Sequence, residues 1–283
     1  MEILRSLDAI REWRASLAPT QCVGFAPTMG NLHAGHIELI NAAKQRSDVV
    51  VASIFVNPMQ FGGNEDLEAY PRTLEADLVK LEAAGTAAVF TPTTTDIYPD
   101  GASQHTAVDV PGLTNVLCGA SRPRHFRGVT TVVSKLLGVV RPHIAAFGAK
   151  DLQQVLVIKK MVRDLSINTE IDMVPTVRET DGLAMSSRNG YLSQNERKLA
   201  PLFSRTLEET SKRVAESGSD IETVITEAKA TLTDAGFVVE YLEARHTHDL
   251  SKALSLNQTT AIFGAVFLGT TRLIDNQIVY PRS

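Results

Sequence analysis

Two histidines in one short loop are the residues of this sequence best suited to phosphate chemistry. They lie in segment 26–36, Ala-Pro-Thr-Met-Gly-Asn-Leu-His-Ala-Gly-His, where His33 and His36 are three residues apart and a helical pattern follows. A helix start carries unpaired N–H groups and a positive dipole end, and both favour a phosphate. Histidines can also donate hydrogen bonds to phosphate oxygens that gain charge in a transition state. An isolated pair of this kind is more simply explained by one histidine that caps the turn and one that packs.

The common nucleotide-binding motifs are absent from the sequence. It contains neither the Gly-x-Gly-x-x-Gly of dinucleotide-binding loops nor the Gly-x-x-x-x-Gly-Lys-Ser/Thr phosphate loop. A zinc site is disfavoured, because no third ligand lies near His33 and His36 and His-Glu-x-x-His is missing. A polar segment at 185–189, Met-Ser-Ser-Arg-Asn, is suited to closing over a polyphosphate. Together the two segments favour phosphate positioning over simple capping.

Composition excludes several classes of partner. The net charge of -4 and the pI near 6.0 argue against general binding to nucleic acid or to anionic membranes. The longest nearly apolar stretches, such as 259–269, are shorter than the roughly 18 residues of a membrane span. Charged residues recur through the first 14 positions, which predicts an amphipathic helix and no signal peptide. We therefore expect a cytoplasmic protein in which Cys22 and Cys118 are small buried residues.

The first part of the chain alternates β-branched runs with helical stretches, which predicts parallel strands joined by helical crossovers. The candidate strands are 22–26, 49–56, 87–90, 144–147 and 171–174. The candidate helices are 35–46, 72–84, 130–140 and 152–164. The expected fold class is α/β, a Rossmann-like doubly wound parallel sheet. In such a sheet the loops that begin near Pro27, Asn57 and Gly148 face one crevice at the carboxyl ends of the strands.

The pattern changes after Pro175. Two helical segments, 194–216 and 221–235, precede strand-like runs at 238–243, 260–267 and 271–276. We therefore expect two domains, a Rossmann-like domain at 1–175 and a smaller α+β domain at 176–283.

The combination of His-x-Gly-His with a late Met-Ser-Ser-Arg resembles the adenylate-forming nucleotidyltransferase superfamily, which includes class I aminoacyl-tRNA synthetases. Further segments resemble one family in it, the pantothenate synthetases (pantoate–β-alanine ligases), in the same order along the chain. These segments are Phe-Ala-Pro-Thr-Met-Gly at 25–30, Phe-Val-Asn-Pro-Met-Gln-Phe-Gly at 55–62, Tyr-Pro-Arg at 70–72, Arg-Pro-Arg-His-Phe-Arg-Gly-Val at 122–129, Phe-Gly-Ala-Lys-Asp-Leu-Gln-Gln at 147–154 and Arg-Leu-Ile-Asp-Asn at 272–276. Two positions depart from the family pattern: Ala149 replaces a longer or charged residue, and Cys118 stands where an acidic residue is common.

The resemblance implies an ATP-dependent ligase. The pantoate carboxylate would attack the α-phosphate of ATP to give pantoyl adenylate and pyrophosphate, and the amine of β-alanine would then displace AMP. Residues 1–175 would bind ATP and pantoate, and residues 176–283 would close over the ATP site. The resemblance also implies a homodimer, and Mg²⁺ is expected with ATP although no protein metal ligands are assigned, Asp151 being only a weak candidate.

The resemblance carries site residues over to this sequence. Those expected around ATP are Met29, Gly30, Asn31, Leu32, His33, Ala34, Gly35, His36, Gly148, Ala149, Lys150, Asp151, Val177, Met185, Ser186, Ser187 and Arg188. Gln60 and Gln154 are expected to bind pantoate, because amides both donate and accept hydrogen bonds.

The expected catalytic group consists of His33, His36, Lys150 and Arg188. Lys150 and Arg188 bring positive charge to two anionic substrates. His36 is expected to donate a hydrogen bond or proton to the departing phosphate, and His33 to steady the phosphates. The protonation state of His36 stays open, because a helix start favours the neutral ring and a bound phosphate the charged one.

Several alternatives remain at this stage. The basic cluster Arg122, Arg124, His125 and Arg127 suits attraction of substrate or pyrophosphate, but equally a solvated loop or a subunit contact. Rival functions are another small-carboxylate adenylylating ligase, a nucleotidyltransferase that leaves AMP on its product, a truncated tRNA-charging enzyme and a non-catalytic nucleotide sensor. The acidic chain and the lack of a tRNA-binding domain weigh against the tRNA-charging enzyme.

Overall fold

A computed structural model describes residues 1–62, 67, 68, 70–216 and 220–281. The chain folds into two compact units. The first comprises Met1–Asn115, Gly119–Ala149 and Gln153–Pro175, and the second comprises Val116–Cys118, Lys150–Leu152 and Thr176–Ser283. Parts of the predicted second domain, residues 217–219, 282 and 283, lie outside the described residues.

The first unit is built on a parallel β-sheet. Its strands are β1 (Glu2–Leu4), β2 (Val23–Thr28), β3 (Val49–Ile54), β4 (Ala88–Phe90), β5 (Ile144–Gly148) and β6 (Glu170–Val174). Within the described ranges they pair in parallel in the order β1-β4-β3-β2-β5-β6. The order runs outward from the middle in both directions, so the sheet is doubly wound, as predicted, and its switch point lies between β2 and β5.

Helices connect these strands. They are α1 (Leu7–Ser16), α2 (Ala34–Gln45), α3 (Leu74–Ala83), α4 (Thr94–Ile97), α5 (Cys118–Ser121), α6 (His125–Val140) and α7 (Leu152–Asp164). Helix α2 packs on the central strands and buries Leu39, Ile40 and Ala43 in a cluster with strand residues such as Ala26 and Ala52. Burial of one Leu or Ile side chain contributes about 1.5–3 kcal/mol, so this packing fixes the start of α2 relative to the sheet.

The second unit contains helices and an antiparallel sheet. Its elements are α8 (Gln194–Leu199), α9 (Pro201–Ala215), α10 (Ile221–Asp234), β7 (Val238–His246), β8 (Thr260–Leu268) and β9 (Thr271–Val279). The strands pair in the order β7-β8-β9, and α9 and α10 pack on each other and on the sheet. A Cβ at Gly264 would lie 2.8 Å from the Phe203 ring, so glycine in β8 is what lets α9 approach this closely.

Several local predictions were wrong in their bounds or type. The N-terminal segment begins with strand β1, because Glu2–Leu4 pairs with β4 before the helix starts at Leu7. Helix α6 starts at His125 and not near residue 130. The predicted helix 194–216 is two helices, because Pro201 has no N–H to continue the hydrogen-bond ladder. The segment after β4 forms the short helix α4, which begins at Thr94 and is capped by Thr93.

No helix among the described residues combines the length and the apolar character that a membrane span requires.

Candidate active site

The loop after β2 takes its shape from a buried carboxylate. Gly30 and Asn31 have φ angles of 83° and 51°, which lie in the left-handed region that glycine adopts without steric cost. The Asn31 and Leu32 N–H groups donate to the two oxygens of Asp77, each at 2.8 Å, and Asp77 is 0% exposed. Lys80, one turn further along α3, donates to the Leu32 carbonyl at 2.6 Å. Two side chains of helix α3 therefore hold the loop: Asp77 binds its N–H groups and Lys80 binds one of its carbonyl groups.

His33 and His36 together cap the start of α2. The Gly35 N–H donates to His33 Nδ1 at 3.1 Å, and the His33 N–H donates to His36 Nδ1 at 3.3 Å, which is the reciprocal pattern of a capping box. Each Nδ1 is therefore an acceptor, and the proton of a neutral ring lies on Nε2. Phosphate binding and capping are thus not exclusive. The Gly35 N–H takes part in the cap, and each neutral imidazole carries its donor atom at Nε2, close to the positive end of the helix.

Gln60 lies beyond the carboxyl end of β3, next to the loop after β2. It ends a 3₁₀ turn, Pro58–Gln60, that Asn57 caps by accepting the Met59 N–H at 3.2 Å. Gln60 Nε2 lies 2.8 Å from the sulfur of Met29. The structure thus brings together a residue expected to bind pantoate and one expected to bind ATP, because β2 and β3 are paired in parallel.

The basic cluster at the start of α6 contacts the main chain of Gln60. His125 Nδ1 lies 2.8 Å from the Gln60 carbonyl, and Arg122 lies 3.4 Å from the same oxygen and 3.2 Å from His125 Nε2. A Cβ at Gly128 would lie 2.4 Å from the Met59 carbonyl, so only glycine allows α6 to approach this turn. Arg122 and His125 therefore hold the main chain of Gln60 in place. This structural role differs from the substrate attraction, solvated loop and subunit contact that the sequence left open.

The end of β5 carries Gly148 and the buried residue Ala149. A Cβ at Gly148 would lie 4.0 Å from Leu39 of α2, so the strand end is in contact with the helix that starts at the histidines. The two glutamines that follow differ from each other. Gln153 is 5% exposed and donates to the Leu113 carbonyl at 2.9 Å, whereas Gln154 is half-buried. Gln154, and not Gln153, therefore keeps a side chain partly open to a ligand.

In the second unit, an ion pair holds the turn that precedes the predicted phosphate segment at 185–189. The Arg178 guanidinium makes a bidentate contact with Asp275 of β9 at 2.6 and 3.1 Å, and it also donates to the Gly182 carbonyl. Next to it the Met185 N–H donates to the Val177 carbonyl at 3.0 Å, so these two expected ATP residues lie together. A further bond from Arg197 to Asp181 lowers the pKa of that carboxyl group and ties the turn to α8.

Ser186 and Lys150 mark the other expected phosphate contacts of this unit. Ser186 caps a short 3₁₀ helix, Ser187–Tyr191, by accepting the Arg188 N–H at 3.2 Å. The Lys150 carbonyl accepts a bond from the Asn276 side chain at 2.9 Å, and Lys150 Nζ lies 3.8 Å from Asp151. The Lys150 side chain is 18% exposed, so its main chain is held while its ammonium group keeps some access to solvent.

The structure adds residues that the sequence reasoning missed. Asp77 could have been found from the sequence, because it is an acidic residue at an inward position of the helical pattern, among Leu74, Leu78 and Leu81. A helix that packs on a sheet normally has an apolar residue at such a position. Arg178 and Asp275 are far apart in sequence, and no local pattern connects them. Among the residues that the structure describes, no group of three His, Cys, Asp or Glu side chains is arranged to hold a metal ion.

Comparisons with known proteins identify the family of this chain and similar folds. The family model for pantoate-beta-alanine ligase matches residues 2–278. A pantothenate synthetase from Shewanella oneidensis is 55% identical over 267 residues, which is 94% of each chain. The crystal structure of a pantothenate synthetase from Thermus thermophilus matches with a TM-score of 0.92 and 43% identity, over 99% of this chain and 100% of the other. A pantoate-beta-alanine ligase from Francisella tularensis, solved in complex with beta-gamma ATP and beta-alanine, matches with a TM-score of 0.82 and 36% identity, over 98% of this chain and 97% of the other. This chain belongs to the pantoate-beta-alanine ligase family.

Proposed function

We propose that this protein uses ATP to condense pantoate with β-alanine, giving pantothenate, AMP and pyrophosphate. The observation that carries the proposal is the match of the family over residues 2–278. It is supported by a capped histidine pair in the loop after β2, a loop whose Met29 contacts Gln60. The Francisella tularensis relative was solved with an ATP form and β-alanine, which are two of the three substrates named here.

In the first half-reaction, a pantoate carboxylate oxygen attacks the α-phosphorus of ATP and the bond to the pyrophosphate oxygen breaks. We propose that His36 donates its Nε2–H to the phosphate that gains charge and that His33 steadies the phosphates. Both roles are supported by the Nδ1 contacts, which leave Nε2 as the donor atom of each neutral ring. Lys150 and Arg188 are proposed to neutralise phosphate charge.

In the second half-reaction, the amine of β-alanine attacks the acyl carbon of pantoyl adenylate and AMP leaves. This step needs no protein nucleophile, because the adenylate is already a reactive acyl group. The protein's contribution is orientation and the exclusion of water. We propose that Gln60 and Gln154 hold pantoate for both steps.

The remaining expected ATP contacts are proposed on the basis of the family resemblance. They are the loop residues Met29, Gly30, Asn31, Leu32, Ala34 and Gly35, the strand-end residues Gly148, Ala149 and Asp151, and Val177, Met185, Ser186 and Ser187. We propose that ATP is used as its magnesium complex, in which phosphates and water fill most of the coordination sphere. That the domain at 176–283 closes over ATP stays a prediction.

We also infer a homodimer in the cytosol, as the family resemblance implies. Light scattering on the purified protein would test the dimer, since a single species with the mass of one chain would contradict it. Cell fractionation would test the location.

Pyrophosphate release tests the reaction itself. With ATP and magnesium, release should require pantoate, and continuous turnover should require β-alanine as well. Lactate and 2-hydroxybutyrate serve as control carboxylates. Equal release with these acids would point to a broader adenylylating ligase, and release without any acid would contradict the proposed function.

A further inference from the structure

The side-chain amide of Gln60 is held by a chain of buried hydrogen bonds that begins at Tyr98. The Tyr98 hydroxyl lies 2.8 Å from Asn57 Oδ1, and Asn57 Nδ2 lies 3.2 Å from Gln60 Oε1. Tyr98 and Asn57 are each 1% exposed. Water therefore has little access to these contacts, and an unsatisfied group in this chain would be costly.

The orientation of the Asn57 amide is fixed by two main-chain groups. The Met59 N–H, which can only donate, lies 3.2 Å from Asn57 Oδ1. The Gly128 carbonyl, which can only accept, lies 3.1 Å from Asn57 Nδ2. These contacts identify the amide oxygen and nitrogen without ambiguity. Because Oδ1 only accepts, Tyr98 is the donor in their contact.

The orientation of Asn57 determines that of Gln60. The Asn57 Nδ2 group donates to Gln60 Oε1, so the oxygen of the Gln60 amide faces inward and its Nε2 faces the loop that carries Met29. An amide nitrogen only donates hydrogen bonds. Gln60 therefore presents N–H groups toward the loop that carries Met29. Such donors can bind the carboxylate or hydroxyl oxygens of a hydroxy acid.

The Tyr98 ring is itself fixed from several directions. It packs edge-on against His105 with ring centroids 5.1 Å apart and lies 6.3 Å from the Phe55 ring. Lys135 Nζ lies 5.5 Å from the Tyr98 centroid and 2.9 Å from His105 Nε2. Burial raises the pKa of Tyr98, so its hydroxyl keeps its proton at neutral pH and remains a donor.

We propose that Tyr98 is a positioning residue for pantoate: it orients Asn57, and Asn57 holds the Gln60 amide with its N–H groups toward the substrate. This rests on the proposed function, in which Gln60 binds pantoate. Tyr98 acts only through Gln60 and touches no reacting atom.

A double-mutant cycle tests the proposal with purified full-length protein and pantoate-dependent pyrophosphate release. Tyr98→Phe removes only the hydroxyl, and we expect kcat/KM for pantoate to fall about tenfold, mainly through KM. In the Gln60→Ala background the same change should alter kcat/KM by less than about twofold, because the group that Tyr98 positions is gone. Gln60→Glu should be at least as impaired as Gln60→Ala, since a carboxylate offers pantoate no donor.

Thr169→Val is the matched control. It removes a buried hydroxyl that donates to the Pro142 carbonyl at 2.8 Å, at the amino-terminal end of the same sheet, and should leave kcat/KM for pantoate unchanged. Equal losses from Tyr98→Phe with and without Gln60 would overturn the relay, as would an active Gln60→Glu. A wild-type protein that releases no pyrophosphate with pantoate would instead overturn the proposed function.

Discussion

Asp77 is the residue on which the shape of the loop after β2 depends most directly. Its two oxygens accept the Asn31 and Leu32 N–H groups at 2.8 Å and a hydroxyl bond from Thr73 at 3.1 Å. Asp77→Asn keeps the size of the side chain but replaces one acceptor oxygen with an NH₂ group. Because both oxygens are engaged by backbone donors, either orientation of the amide places a donor against a main-chain N–H.

The expected cost follows from the number of bonds that are lost. One charge-assisted hydrogen bond contributes about 1.5–3 kcal/mol, and the facing N–H is left without an acceptor. We expect the substitution to destabilise the loop by about 2–3 kcal/mol. If that free energy must be supplied when ATP binds, the apparent KM for ATP rises about 30- to 150-fold.

The assay is pantoate-dependent pyrophosphate release at varied ATP, combined with urea unfolding of each variant. Glu75→Gln is the control, because Glu75 is an exposed acid in the first turn of the same helix. It removes the same charge and should change the KM for ATP by less than about twofold, since a charge near a helix end contributes about 0.3–1 kcal/mol to the helix alone. An Asp77→Asn protein with a normal KM for ATP would refute the reasoning, and so would equal effects of the two substitutions.

Three further predictions concern the histidines, Lys150 and the ion pair of the second unit. His36→Gln should change the free energy of unfolding by less than about 0.5 kcal/mol, because Gln is a usual residue at this position of a capping box. The same change should slow adenylylation at least about 100-fold. Single-turnover rates equal to those of the wild type would remove the role of His36. Lys150→Ala should abolish pantoyl adenylate formation, as measured by pyrophosphate release, while Asn276 still holds the main chain at residue 150; normal release would contradict the assignment. Asp275→Asn should lower the free energy of unfolding by about 3 kcal/mol or more, because it leaves a partly buried Arg178 without its anion, and urea titration that shows no loss would count against this ion pair.

The sequence by itself determined the order of the elements and the class of the fold. Runs such as Val49–Ile54 can be identified locally, because β-branched residues favour strands, and helix α7 begins and ends where its apolar spacing predicts. Short elements were harder to predict from the sequence. Strand β1 exists because β4 is available to pair with it, and nothing in the first few residues specifies that partner.

The histidine loop shows how far the local sequence reaches. The spacing of His33 and His36 at a helix start was sufficient to predict a histidine cap, because capping depends on the geometry of a single turn. Phosphate positioning was predicted only when the loop was combined with the segment at 185–189, and it stays a prediction. The same spacing could not decide which nitrogen carries the proton. That required the two Nδ1 contacts, whose distances depend on the folded loop.

Only the tertiary structure identified the residues that hold the site in place. Asp77 reaches the loop from helix α3, which follows the next strand, β3. Tyr98 reaches Gln60 through Asn57, and Asp275 pairs with Arg178 across 97 positions of sequence. Each of these contacts depends on segments that are distant in sequence and that the fold brings together. The chemical groups of the candidate site are therefore expectations from sequence motifs, whereas the hydrogen bonds that orient them are set by long-range packing, which no local pattern encodes.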